Sequence, residues 1–239
     1  MSTFVDALRF IPDNGDLIAR KTAEHLELSG AAIAVSLVIA IPIGVWLGHI
    51  HRGSFIAINI SNVGRSLPSL AIIAIGIAVL GLGFVNTMIA LVVLAVPPML
   101  TNAYVAVDGV DASAVDAARG MGMRPREVLM RVELPLALPL IFAGIRTAAV
   151  YVIATATLAA VAGGGGLGEI IVNQASYRVE GVVAGAICVA ALALAAELGF
   201  AALQRAVTPR GLRNTPTLGP GAAVLPPGEL SATQGALPR

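Results

Sequence analysis

The chain has 239 residues, 57% of them hydrophobic and only 12% charged, with a net charge of +1 and a mean hydropathy of +0.87. A soluble domain carries about a quarter of its residues charged, so this composition excludes an ordinary water-soluble enzyme and points to lipid as the solvent. At about 20 residues per span the length holds roughly five or six spans and leaves no room for a separate catalytic domain, while the single cysteine, Cys188, excludes an intramolecular disulfide.

Residues 1–28 carry Asp6, Arg9, Asp13, Asp16, Arg20, Lys21, Glu24 and Glu27, and no apolar run comes early enough for a cleavable signal peptide. The alternation of charged and apolar residues from Leu17 to Leu26 predicts an amphipathic helix on the membrane surface, so this segment reads as an external arm. The first span is expected from about Ser29 to Gly48, with Pro42 as a bend that neighbouring helices can accommodate. A short basic loop with His49, His51 and Arg52 follows. The apolar region from about Phe55 to Gly83 is too long for one straight span and is interrupted by Asn62, Arg65, Ser66 and Pro68, which predicts a broken or tilted helix. Phe84 to about Val107 forms the third span, with Pro97 and Pro98 distorting its second half.

Between 108 and 133 the chain turns polar, with Asp108, Asp111, Asp116, Arg119, Arg124, Arg126, Glu127, Arg131 and Glu133. This is a large loop in water. Leu134 to about Ala162 is the fourth span, a Gly-rich loop and short helix occupy 163–180, and Gly181 to Gln204 is the fifth. The transmembrane domain thus runs over 29–205, and the Pro- and Gly-rich stretch 206–239, without a periodic apolar face, reads as a disordered tail. If the 49–54 loop, the 108–133 loop and the tail share one side, that side holds Arg52, Arg119, Arg124, Arg126, Arg131, Arg205, Arg210, Arg213 and Arg239, against Arg9, Arg20, Lys21 and Arg178 opposite. The positive-inside rule then places the large loop and the tail in the cytoplasm and the amino terminus outside.

Within the large loop stands Asp116-Ala117-Ala118-Arg119-Gly120-Met121-Gly122, followed after nine residues by Val132-Glu133-Leu134-Pro135. The spacing resembles the EAA signature of permeases in ATP-binding-cassette importers, with Asp in place of Glu and Val in place of Ile. The residue types suit a docking element. A short helix over about Ala112 to Met121 would present the small Ala117 and Ala118 for close approach, Gly122 would end it in the left-handed region, and Pro125 would open a second helix that leads through Leu134-Pro135 into the membrane. Further stretches, Arg65 to Ala71, Val132 to Pro139, Gly144 to Ala148, and Thr155 to Ala159 with Gly163 to Gly168, look like the permeases of the glycine betaine, choline and carnitine osmoprotectant importers. The similarity covers about residues 20–205. Methionine permeases share a comparable Gly-rich segment and loop, and stand as the alternative.

The resemblance implies an all-α, polytopic membrane protein of about five spans with a methionine-permease-like importer fold and cytoplasmic coupling helices. It implies the bacterial cell membrane as location. Expected partners are a cytoplasmic ATPase dimer, a second identical or homologous permease, an external substrate-binding protein and membrane lipid, with no role for nucleic acid. The subunit is not expected to be an enzyme or to carry a cofactor. No Gly-x-x-x-x-Gly-Lys occurs and Lys21 is the only lysine, so ATP belongs to the partner. Gly163-x-Gly165-x-x-Gly168 fits the dinucleotide fingerprint in letters only; without a preceding strand it reads as a tight turn folding back a short helix. His25, His49 and His51 lack metal-ligand spacing and read as interfacial.

Asn102, Thr155 and Thr157 fit two readings, a pathway lining or hydrogen bonds to a neighbouring helix or to the backbone one turn earlier. Arg65, Arg146 and Glu197 fall inside the apolar regions and require compensation. Arg146 and Glu197 lie at similar depths and suit a pair between the fourth and fifth spans, Arg65 being the other partner for Glu197; snorkelling of Arg146 with a protonated Glu197 is the competing account. An ion-coupled secondary transporter is the rival class, for which Glu197 is the only clear intramembrane carboxylate.

Overall fold

A computed structural model describes residues 2–52, 55, 59, 64 and 68–208. Arg65, most of the interrupted second apolar region and the tail from 209 onward lie outside the described residues.

The described chain is helical and contains no strand. Helix α1 covers Ser2–Asp13 and α2 covers Gly15–His49, separated at Asn14, whose Nδ2 donates to the Phe10 carbonyl at 3.1 Å. The boundary expected near residue 28 falls inside α2: the charged segment and the first span are one 35-residue helix, about 52 Å long. Leu17 and Ile18 anchor its early turns by packing with Leu167, Ile170 and Val189.

After the partly described segment come α3 (Ser69–Leu80) and α4 (Phe84–Asp108). Helix α4 stays continuous through Pro97 and Pro98. In the polar loop, α5 covers Ala112–Gly120 and α6 covers Pro125–Val128, and a π turn at Leu129–Glu133 carries the helix into α7 (Leu134–Thr155). A 3-10 segment, Ala156–Ala162, precedes the Gly-rich turn, then α8 (Leu167–Val172) and α9 (Gln174–Val207), which is kinked at Arg178. Four helical stretches are long and apolar enough to cross a bilayer, with α3 as a shorter apolar helix, close to the expected five.

Helices α2, α4 and α7 make the centre. Their core gathers Leu28, Ala32 and Ala40 from α2, Leu91, Ala95, Met99, Leu100 and Tyr104 from α4, and Ala148 and Val152 from α7. On α2 the small residues Ala32, Ser36, Ala40, Gly44 and Gly48 recur every fourth position and are all buried. In lipid there is little hydrophobic gain from pairing helices, so close backbone approach through small residues supplies the packing. A Cβ built on Gly44 would come within 2.6 Å of the Leu100 carbonyl oxygen, and one on Gly48 within 2.8 Å of that of Tyr104. The α2 and α4 backbones therefore touch along this stripe.

Candidate functional site

The polar loop folds as a helix, a turn and a second helix, each boundary set by local chemistry. Asp111 caps α5 by accepting from the Ser113 N–H at 2.8 Å, and that backbone hydrogen bond holds its carboxyl below the usual carboxylate range. Gly122 takes φ of +83°, the left-handed conformation its position was expected to need. Pro125 occupies the first turn of α6, where its missing N–H costs no hydrogen bond, and the Arg124 N–H donates to Glu127 Oε2 at 2.9 Å.

Val115, Ala118 and Val128 form a miniature core backed by Val110, Met123 and Val132. This corrects the expected role of Ala118. It is 1% exposed and its small size serves packing between α5 and α6, because the helix phase turns Ala117 outward and Ala118 inward. Asp116, Ala117, Arg119 and Met121 make the outward face. Val132, Leu134 and Pro135 are half-buried where the loop joins α7.

Two contacts that sequence reasoning missed tie this loop to the spans. His49 Nδ1 stands 2.6 Å from Glu133 Oε2, and Glu133 is fully buried. His51 Nδ1 stands 2.8 Å from Asp108 Oδ1. The end of α2 and the turn that follows it thus hold the root of α7 and the end of α4. Two histidines closing the first span, and an acid on each flank of the loop, are the signal that was available.

Inside the apolar region Arg146 Nε lies 3.2 Å from Glu197 Oε1, so the pair is formed between α7 and α9. Gln204 extends it: its Oε1 accepts from Arg146 Nη1 at 3.5 Å and its Nε2 donates to the Pro139 carbonyl at 2.8 Å. Asn102 donates through Nδ2 to the Pro98 carbonyl at 2.8 Å and borders a cavity of about 420 Å³ between α4 and α7. Thr155 is buried, and the Thr157 hydroxyl donates to the Ala154 carbonyl at 2.8 Å.

At the end of α2 remote from His49, the Gly-rich segment is a turn with φ of +71° at Gly163, +75° at Gly165 and +77° at Gly166. A 3-10 helix, not a strand, precedes it, which removes the structural context a dinucleotide fingerprint needs. The early turns of α2 hold this loop. Glu24 Oε2 accepts from the Gly166 N–H at 3.0 Å, and Lys21 Nζ bridges Glu24 at 2.9 Å and Glu169 at 2.6 Å. His25, read as interfacial, is instead fully buried with its Nε2 2.9 Å from the Ile153 carbonyl oxygen.

Residues 40–209 match the family described as the inner membrane component of binding-protein-dependent transport systems. The chain belongs to that family. It is a transport permease and not an enzyme in its own right. The permease is 40% identical over 207 residues, 86% of its own length and 95% of the relative's, to the glycine betaine/carnitine/choline transport system permease protein of Bacillus subtilis. It is equally similar, over the same shares, to the choline transport system permease protein of that organism. A carnitine transport permease protein of Listeria monocytogenes is 38% identical over 85% of this chain and 94% of the relative. Among solved structures, the inward-facing MetNI methionine ABC transporter superimposes with a TM-score of 0.70 at 22% identity, covering 81% of this chain and 97% of the other. That likeness establishes a shared all-helical fold.

Proposed function

We propose that this permease carries small quaternary-ammonium osmoprotectants, such as glycine betaine, choline or carnitine, into the bacterial cell under the drive of ATP hydrolysed by a separate subunit. The observation that carries the reading is the near-complete coverage, at about two residues in five identical, of relatives named for those solutes. A dimer of cytoplasmic ATPases, a second permease copy or homologue and an external binding protein complete the assembly. The coupling loop and the tail lie in the cytoplasm and the amino terminus outside, as the distribution of Arg residues favours.

In this reading the outward face of α5, with Asp116, Ala117 and Met121, seats in the ATPase, while the Val115–Ala118–Val128 core keeps the loop stiff enough to act as one body. The same mechanical role extends to Gly122, which sets the angle between α5 and α6, and to Val132, Leu134 and Pro135 at the junction with α7. Closure of the ATPase dimer on ATP draws two such loops together. The His49–Glu133 and His51–Asp108 contacts pass the displacement to α2 and α4, and the spans rock from inward-facing to outward-facing. Solute released by the docked binding protein then enters the pathway.

The test is ATP hydrolysis by the complete complex in lipid nanodiscs, with the external protein loaded in turn with glycine betaine, choline, carnitine or methionine. Stimulation by a quaternary ammonium and none by methionine is expected. Stimulation by methionine alone would reassign the substrate.

A further inference from the structure

We propose that the cavity between α4 and α7 is a holding point for the quaternary ammonium group on its way through the membrane, with Tyr151 as its aromatic face. The inference rests on the substrate class proposed above and assigns residues to it. The cavity, of about 420 Å³, is bordered by Gly64, Leu94, Pro98, Asn102, Thr147 and Tyr151. This is the size range of small-molecule sites. Pro98 sits 10 residues from the Asp108 end of α4 and 14 from the Phe84 end, or about 15 and 21 Å along the helix, so the cavity lies near the middle of the span.

Its chemistry suits a cation without hydrogen-bond donors. Pro97 and Pro98 carry no N–H, so the carbonyls of Val93 and Leu94 lose the donors one turn ahead that a regular helix provides. Asn102 donates one N–H of Nδ2 to the Pro98 carbonyl and keeps Oδ1 as an acceptor toward other groups. The Thr147 hydroxyl spends its proton on the Ala143 carbonyl at 2.9 Å and keeps oxygen lone pairs. Among the described residues the lining therefore offers carbonyl and hydroxyl oxygens and one aromatic ring, with no charged side chain. A trimethylammonium head is attracted to the face of such a ring and to oxygen dipoles, and no described lining side chain grips it as an ion pair would. Weak binding without an ion pair is what transit requires, since a holding point must also release. Thr147 and Tyr151 are exposed on the open side, where a second permease subunit would close the chamber.

The test uses the complete complex in proteoliposomes and radiolabelled choline. Tyr151→Leu is expected to raise the half-saturating concentration of loaded binding protein, or to lower the uptake rate, by about tenfold, with the binding protein's own affinity for choline and ATP-driven closure unchanged. Tyr151→Phe, which keeps the ring, should stay within about twofold of the parent. Uptake by Tyr151→Leu equal to the parent would overturn the holding point while leaving the proposed substrate intact; a parent complex that transports no quaternary amine would instead overturn the substrate reading. A second measurement covers a leucine variant that fails to assemble. Thr147→Cys in a Cys188→Ala background should react with a trimethylammonium-bearing methanethiosulfonate, and choline should slow the reaction. Absence of labelling, or labelling indifferent to choline, would reject the site.

Discussion

Arg146 on α7 and Glu197 on α9 face each other at 3.2 Å, joining two helices through opposite charges inside an otherwise apolar bundle. Each is about one-third exposed in the described chain, so the pair is neither a fully buried bridge nor a solvated one. An uncompensated charge near mid-membrane costs about 2.5–3.5 kcal/mol on insertion scales, and pairing removes part of that cost from both partners.

The pair should therefore show coupling in a double-mutant cycle. Arg146→Gln and Glu197→Gln are each expected to lower the thermal stability of the detergent-solubilised permease, and the double variant to lose about 1 kcal/mol less than their sum. Strict additivity, read from unfolding midpoints, would contradict the pair. Gln204→Leu should weaken Arg146 further, because it removes the amide that links the guanidinium to the Pro139 carbonyl.

His49 and Glu133 differ in what their removal leaves behind. His49→Ala strands a buried carboxylate whose other oxygen, Oε1, already has no hydrogen-bond partner, and should cost about 3 kcal/mol. Glu133→Gln discards the charge but keeps an amide that can still hydrogen-bond the His49 ring, and should cost less. Stability in detergent reads the order, and solute-stimulated ATP hydrolysis reads the coupling; equal losses from the two single variants would show that charge is not the cause.

Gly122 tests backbone conformation without steric interference, because a Cβ placed there meets nothing within 4 Å. Asn, which tolerates the left-handed region, should be accepted best, Ala less well and Val worst, with about 1–3 kcal/mol of strain at the β-branched end. Gly122→Val should insert normally and lose stimulated ATP hydrolysis. A valine variant that transports at the parental rate would remove the turn from the coupling account.

Two glycines of α2 give opposite expectations within one helix. At Gly44 a Cβ would strike the Leu100 carbonyl at 2.6 Å, whereas at Gly30 it meets nothing within 4 Å. Gly44→Ala should destabilise by about 1–3 kcal/mol, and Gly30→Ala should be neutral or stabilising by up to about 1 kcal/mol. Thermal unfolding of the isolated permease in detergent decides; the reverse order would reject the α2–α4 packing.

What sequence reading reached, and what it missed, divides along physical lines. The turn at Gly122 and the start at Pro125 depend on local backbone chemistry, which a few neighbouring residues determine. Arg146 and Glu197 were legible across 51 positions because charge in lipid demands a partner and helical rise gives its depth. The long reach of α2 was not legible. Its early charged turns read as a surface arm because Lys21, Glu24 and His25 find Glu169, Gly166 and Ile153 only after the chain has crossed the bundle and returned. Ala118 was misplaced for a smaller reason: in a pair of adjacent alanines, the inward one is chosen by the phase of α5 against Val128, and composition carries no phase.

The most direct measurement is uptake by the complete complex, with its ATPase and external binding protein, in proteoliposomes loaded with ATP and then with ADP. The account predicts that choline, glycine betaine or carnitine accumulates only with ATP and that collapsing the ion gradients leaves uptake unchanged. Accumulation of methionine in place of all three, or uptake that follows an ion gradient and ignores ATP, would contradict it.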